Sequence, residues 1–166
     1  MTLLRLVILS FMIGAFGVTS AVAQVSDDYK SLSRELVRDG NEALAMEDAE
    51  AAKDLFERAL VANPASVTAL IGLGKSFEAM DSVPKGLKFY RHALAIEPNN
   101  LDALEAQSLA FLKRGLYDEA ELNRDKLKRL CRAGCPALTD VEEALTAYLS
   151  QQADASAAQE GESNEP

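Results

Sequence analysis

The sequence predicts an all-α protein, a solenoid of helix-turn-helix hairpins closed by a C-terminal capping helix, and three observations carry that reading. When the chain is slid against itself by 34 residues, Leu36, Leu70 and Leu104 coincide, as do Gly40 and Gly74, Ala43 with Phe77 and Phe111, Ala52 with Gly86 and Ala120, Phe56 with Tyr90, and Ala59 with Ala93. Two prolines, Pro64 and Pro98, stand the same interval apart, and the residue before a proline is pushed out of helical geometry, so each ends a unit. Between these breaks the apolar residues recur at helical spacing. A repeat of this length is one supersecondary unit that buries its apolar face only by stacking on its neighbours.

The first two dozen residues read differently. A single Arg5 precedes an apolar run from Leu6 to Val18, and Ala21-Val22-Ala23 supplies a small-residue cleavage site, the layout of a secretory signal peptide over residues 1–23. The alternative is an uncleaved anchor over Leu3 to Val22. The 166-residue chain carries a formal charge of −9, and residues 1–23 hold one base and no acid, so cleavage leaves 143 residues and a charge of −10. That field opposes binding to nucleic acid. An acidic exported protein with this cleavage site suggests the bacterial periplasm.

Residues 24–150 are read as one domain. Its first helix is expected over residues 26–45, capped by Ser26 or Asp27, with Leu32, Leu36, Ala43 and Leu44 as its apolar stripe. After a turn at Met46 to Asp48, a second helix from Ala49 to about Ala62 buries Ala52, Phe56 and Ala59 and completes a unit over about 33–66. The next unit, 67–100, repeats the plan with Leu70, Leu73, Gly74 and Phe77, a turn near Asp81 and Ser82, and Pro84 in the opening turn of its second helix, where the missing amide costs little. Small residues at 52, 86 and 120 let the paired helices approach closely. The third unit, 101–134, loses the pattern: Arg124 stands where the aromatics were and Arg132 where the prolines were. A cap helix is expected over 137–150, opened by a capping box of Thr139 and Glu142, with Leu138, Val141, Leu145 and Leu149 on one face. Residues 151–166 hold four acids and no base and are expected to be a disordered acidic tail.

Leu36-x-x-Asp39-Gly40-x-x-Ala43, Ala52-x-x-x-Phe56-x-x-Ala59 and Pro64, matched more fully by Leu70, Leu73-Gly74, Phe77, Gly86, Tyr90, Ala93 and Pro98, resemble the tetratricopeptide repeat (TPR) family over about residues 33–132. The resemblance implies a TPR-type right-handed superhelix whose concave wall is made by the first helix of each hairpin and binds a protein or peptide partner. Carried onto this sequence, it places Arg34, Val37, Arg38, Asn41, Leu44 and Ala45 on that wall from the first unit. Thr68, Ile71, Lys75, Glu78 and Ala79 follow from the second, and Asp102, Glu105, Leu109, Leu112 and Lys113 from the third. The partner-binding set expected from these is Arg34, Arg38, Asn41, Lys75, Glu78, Asp102, Glu105, Leu109 and Lys113. The family's clamp for a C-terminal carboxylate is not reproduced: Asn41 survives, but Val37, Gly72, Asp102 and Ala106 occupy the other places.

Cys131 and Cys135 are the only cysteines, and export would place them where disulfides persist, so a structural bridge between the last repeat and the cap is expected. A zinc site would need more ligands than these two and the lone His92 provide. Seven bases between Lys113 and Arg132 could form a patch for acidic partners. They also follow Asp118, Glu119 and Glu121 in the charge order that a helix dipole favours. With no nucleophile, histidine and acid grouped and no phosphate loop, the sequence points to a non-enzymatic adaptor without metal or cofactor. The alternatives are an anchored or self-stacking subunit of an envelope assembly, such as a pilus or secretion apparatus, and a small-molecule groove.

Overall fold

The computed structural model describes residues 17–162. They form seven helices: α1 (Gly17–Ala45), α2 (Ala49–Ala62), α3 (Val67–Ala79), α4 (Val83–Ile96), α5 (Leu101–Lys113), α6 (Tyr117–Leu130) and α7 (Pro136–Glu162). Pairs α1/α2, α3/α4 and α5/α6 are the three hairpins, each first helix packs on the next, and α7 lies against both α5 and α6.

The repeat is written into the backbone. Between the helices of successive hairpins stand Glu47, Asp81 and Gly115, all with left-handed φ (62°, 56° and 70°). After each, one amide reaches back into the preceding helix: Asp48 N–H to Ala43 C=O, Ser82 to Phe77, and Leu116 to Phe111, at 2.8–2.9 Å. This satisfies carbonyls that a helix end would otherwise leave orphaned. Between hairpins, the Ser66 hydroxyl and the Asn100 side-chain carbonyl cap α3 and α5 by accepting the amides of Ala69 and Ala103.

Packing explains which residues echo. The Phe56 ring is fully buried against the backbones of Gly40 and Gly72, where an added Cβ would lie 2.8 and 2.3 Å from it. Tyr90 presses on Gly74 in the same way, at 2.4 Å. Gly86 brings α4 onto α3: a Cβ there would meet the Gly74 carbonyl oxygen at 2.8 Å. In the third hairpin Arg124 leaves the interior and pairs with Glu121 (2.7 Å) and Asp125 (2.8 Å). With no ring to seat, the place of Gly40 and Gly74 is taken by the fully buried Ser108. The volume moves one turn along, to Leu127, fully buried where the earlier hairpins have Ala59 and Ala93. Gln107 accepts a hydrogen bond from Asn123 at 2.9 Å, tying α5 to α6. The third unit is therefore repacked around a different core, which Leu104, Ala120 and Leu127 share with Ala137, Leu138, Val141 and Leu145 of α7.

Several boundaries differ from the sequence reading. α1 starts at Gly17 rather than residue 26, so positions 26 and 27 lie inside it rather than at its N-terminus. Residues 1–16, most of the expected export segment, are outside the described residues, as are 163–166 of the expected tail. Among the described residues no helix is long and apolar enough to cross a membrane. The cap helix begins at Pro136, whose fixed φ suits the first helical position, so Thr139 lies within the first turn. Its hydroxyl donates to the Cys135 carbonyl at 3.3 Å, in place of the expected capping box. α7 also continues past residue 150 to Glu162; residues 151–156 are exposed, and good helix formers such as Ala and Gln extend the element beyond its packed part.

Candidate functional site

A cleft of about 630 Å³ opens on the inner side of the stack. One wall is α3, through Lys75, Glu78 and Ala79, with Tyr90 of α4 behind Glu78. The second is α5, through Glu105, Ala106, Leu109, Leu112 and Lys113, and the third is α7, through Ala144, Ala147, Tyr148 and Gln151. Its size lies in the range of roughly 300–1,000 Å³ common to ligand sites.

The space exists because four lining residues are alanines. Ala144 and Ala147 face the cleft from a helix whose Val141 and Leu145 are buried in the third core, so packing fixes the face α7 presents. Tyr148 is held from the side by Tyr117 of α6, ring centroids 5.8 Å apart. At the other end Glu78 is fixed twice: the Tyr90 hydroxyl donates to one carboxylate oxygen, and the Lys113 ammonium donates to the other at 2.8 Å. Burial, and secondarily the Glu78 carboxylate, push the Tyr90 hydroxyl well above the ordinary phenol range, so it remains a donor.

Glu105 is not held in this way. Its pKa is raised, first by loss of solvation and then by the Asp140 and Asp102 carboxylates, with Lys75 opposing. Three acids thus share the field of one ammonium on the α5/α7 side of the cleft.

Of the nine expected binding residues, Lys75, Glu78, Glu105, Leu109 and Lys113 line this cleft. Asp102 lies in the first turn of α5, exposed, one turn before Glu105 and outside the cleft lining. Arg34, Arg38 and Asn41 are exposed on α1, outside the cleft lining. Arg38 is engaged by Asp39 at 2.8 Å and Glu35 at 3.8 Å. Val37 and Ile71, placed on the groove wall by the resemblance, are instead buried in the cores between helices. The α7 wall has no counterpart among the residues expected from sequence, because α7 belongs to no repeat. Its signal is present: Ala144, Ala147, Tyr148 and Gln151 stand at i, i+3, i+4 and i+7, one helix face, beside the stripe of Val141, Leu145 and Leu149.

Cys131 and Cys135 are joined, with Cα atoms 5.7 Å apart, and span the turn from α6 into α7. Cys131 is the residue after α6, the place held by Asn63 after α2 and Glu97 after α4, so the bridge stands at the inter-repeat turn that Pro64 and Pro98 restrain elsewhere. Among the described residues no group of His, Cys, Asp and Glu could hold a metal. His92 is exposed on α4, and the buried hydroxyls of Ser33, Ser76 and Ser108 donate to backbone carbonyls.

No protein-family profile and no curated protein sequence matches the chain. Solved structures do. The first TPR domain of human RPAP3 is 14% identical, aligned over 73% of this chain and 98% of that one, with a TM-score of 0.63. The Sgt2 TPR domain of Aspergillus fumigatus is 22% identical over 75% of this chain and 81% of its own, with a TM-score of 0.64. The type III secretion translocator chaperone SycD of Yersinia enterocolitica is 17% identical over 74% and 95%, with a TM-score of 0.65. SycD has been solved with a peptide of the translocator YopD, and the first TPR of Spaghetti (RPAP3) with the HSP90 peptide SRMEEVD. The fold of this chain is a TPR-like all-α solenoid.

Proposed function

We propose that the protein is a non-enzymatic adaptor that docks a segment of a protein partner in the cleft between α3, α5 and α7. The observation that carries this reading is a sizeable cleft on the concave side of a TPR-like stack, lined mainly by small and apolar side chains with a few placed charges. Structural neighbours hold peptides: RPAP3 the HSP90 peptide, and SycD the YopD peptide. The charged side chains lining the cleft are amines and carboxylates without a histidine or nucleophile among them, an arrangement suited to holding rather than transforming.

The cell envelope is the proposed place of action, on the strength of residues 1–23 and of the cysteine bridge, which suits an oxidising compartment. Fractionation with intact-mass measurement tests it: a soluble chain beginning near Gln24 supports export and cleavage, and a full-length chain in the membrane pellet supports the anchored subunit instead.

Docking is tested by filling the cleft. Ala144→Trp should leave the helical content unchanged by circular dichroism and abolish capture of the partner by the immobilised protein. Undiminished capture by a folded Ala144→Trp variant would contradict the proposed site.

A further inference from the structure

The charges in the cleft are unequally satisfied, and that inequality points to the chemistry of the occupant. Lys113 and the Tyr90 hydroxyl are both engaged with Glu78, which closes that end of the cleft electrically. On the opposite side Glu105 projects beside Leu109 and Ala106, with Asp140 of α7 and Asp102 of α5 acting on it and Lys75 as the opposing cation. Asp102 stands one turn before Glu105 on α5 and Asp140 one turn before Ala144 on α7, both exposed, so each adds a carboxylate on the helix face next to a lining residue. The whole chain carries −9 and adds to the same pull.

We propose that the cleft receives a basic–apolar segment of the partner, one apolar side chain lying against Leu109, Leu112 and Ala147 while an adjacent Lys or Arg is received by Glu105, Asp140 and Asp102. This rests on the adaptor reading and names the class of segment it takes. Glu105 is the residue that discriminates. An acidic segment would add negative charge beside a partly desolvated Glu105 already flanked by two exposed carboxylates, whereas a cation relieves it. Lys75 limits the site to a modest net negative field and keeps it from acting as a general cation trap.

The relation with pH follows. The receiving form of Glu105 is the carboxylate, and burial raises the pH at which it takes up a proton. Affinity for a basic segment should therefore fall on acidification sooner than an exposed glutamate would predict.

The test uses the full mature chain and matched fluorescent synthetic peptides in which a central Leu-Phe pair is flanked by Arg, by Glu or by Ser. Anisotropy titration should show the Arg-flanked peptide binding at least about tenfold more tightly than the other two, weakening with added salt and lower pH. Glu105→Gln and Asp140→Asn should each erode that preference, and Ala144→Trp should abolish binding. Equal or better binding of the Glu-flanked peptide, lost in Ala144→Trp, would overturn the basic–apolar assignment while leaving docking in the cleft intact. A preference for Arg that survives Glu105→Gln, Asp140→Asn and Ala144→Trp would also overturn it, as would a set in which nothing binds; the adaptor reading is judged separately, by partner capture.

Discussion

A methyl group at Gly74 would sit 2.4 Å from the Tyr90 ring, and one at Gly72 would sit 2.3 Å from Phe56. Real side chains do not approach so closely, so in the first two hairpins glycine and aromatic ring are one device split between two helices. Gly74→Ala should destabilise the fold by about 1–3 kcal/mol in urea denaturation, as overpacking of a filled core does. Combined with Tyr90→Leu, it should cost much less than the two single changes added together; strict additivity would show that the ring and the glycine are independent. Phe56 and Tyr90 were legible from the sequence as packing positions. The exchange in the third unit was not. Arg124 reads as decay of the repeat, yet Ser108 and Leu127 change with it and the core stays filled. A one-column comparison misses this because compensation runs between positions on different helices.

At the scale of elements, prolines and small residues mark hairpins well, since they act on the backbone directly. Ala49–Ala62, Pro84 in the opening turn of α4 and the turns at Glu47 and Asp81 stand where the sequence places them. The ends of α1 and α7 were less legible. Beyond Leu149 no apolar stripe continues, and a stretch rich in Ala, Gln and Ser signals helix only through propensity, without packing to announce it. The turn between α6 and α7 is where the chain changes its means of restraint, from proline to a bridge across a very short loop. Loop entropy makes such a bridge worth about 2 kcal/mol, near the low end of the usual range. Paired Cys131→Ser and Cys135→Ser changes should lower stability by about that amount and leave the far-UV spectrum intact, because Leu138, Val141 and Leu145 still hold α7. An unchanged denaturation midpoint would show that the bridge restrains nothing the cap does not already secure.

For the molecule as a whole, α7 both ends the stack and walls the cleft, so the concave surface is most enclosed at the third hairpin. The α3 and α5 residues expected from the TPR resemblance line the cleft because they follow the repeat register. Arg34, Arg38 and Asn41 are exposed on α1 away from the enclosed part, and Ala144, Ala147 and Tyr148 of its α7 wall belong to no repeat. A partner segment is proposed to lie in this enclosed part. The most direct measurement is crosslinking in intact cells from a photoreactive residue placed singly at Leu109 or Ala147 inside the cleft, and at Arg58 or His92 on exposed faces of α2 and α4 outside it. Discrete crosslinks to a partner are expected from 109 and 147 and none from 58 and 92. Crosslinks from the outer positions alone would contradict docking in the cleft.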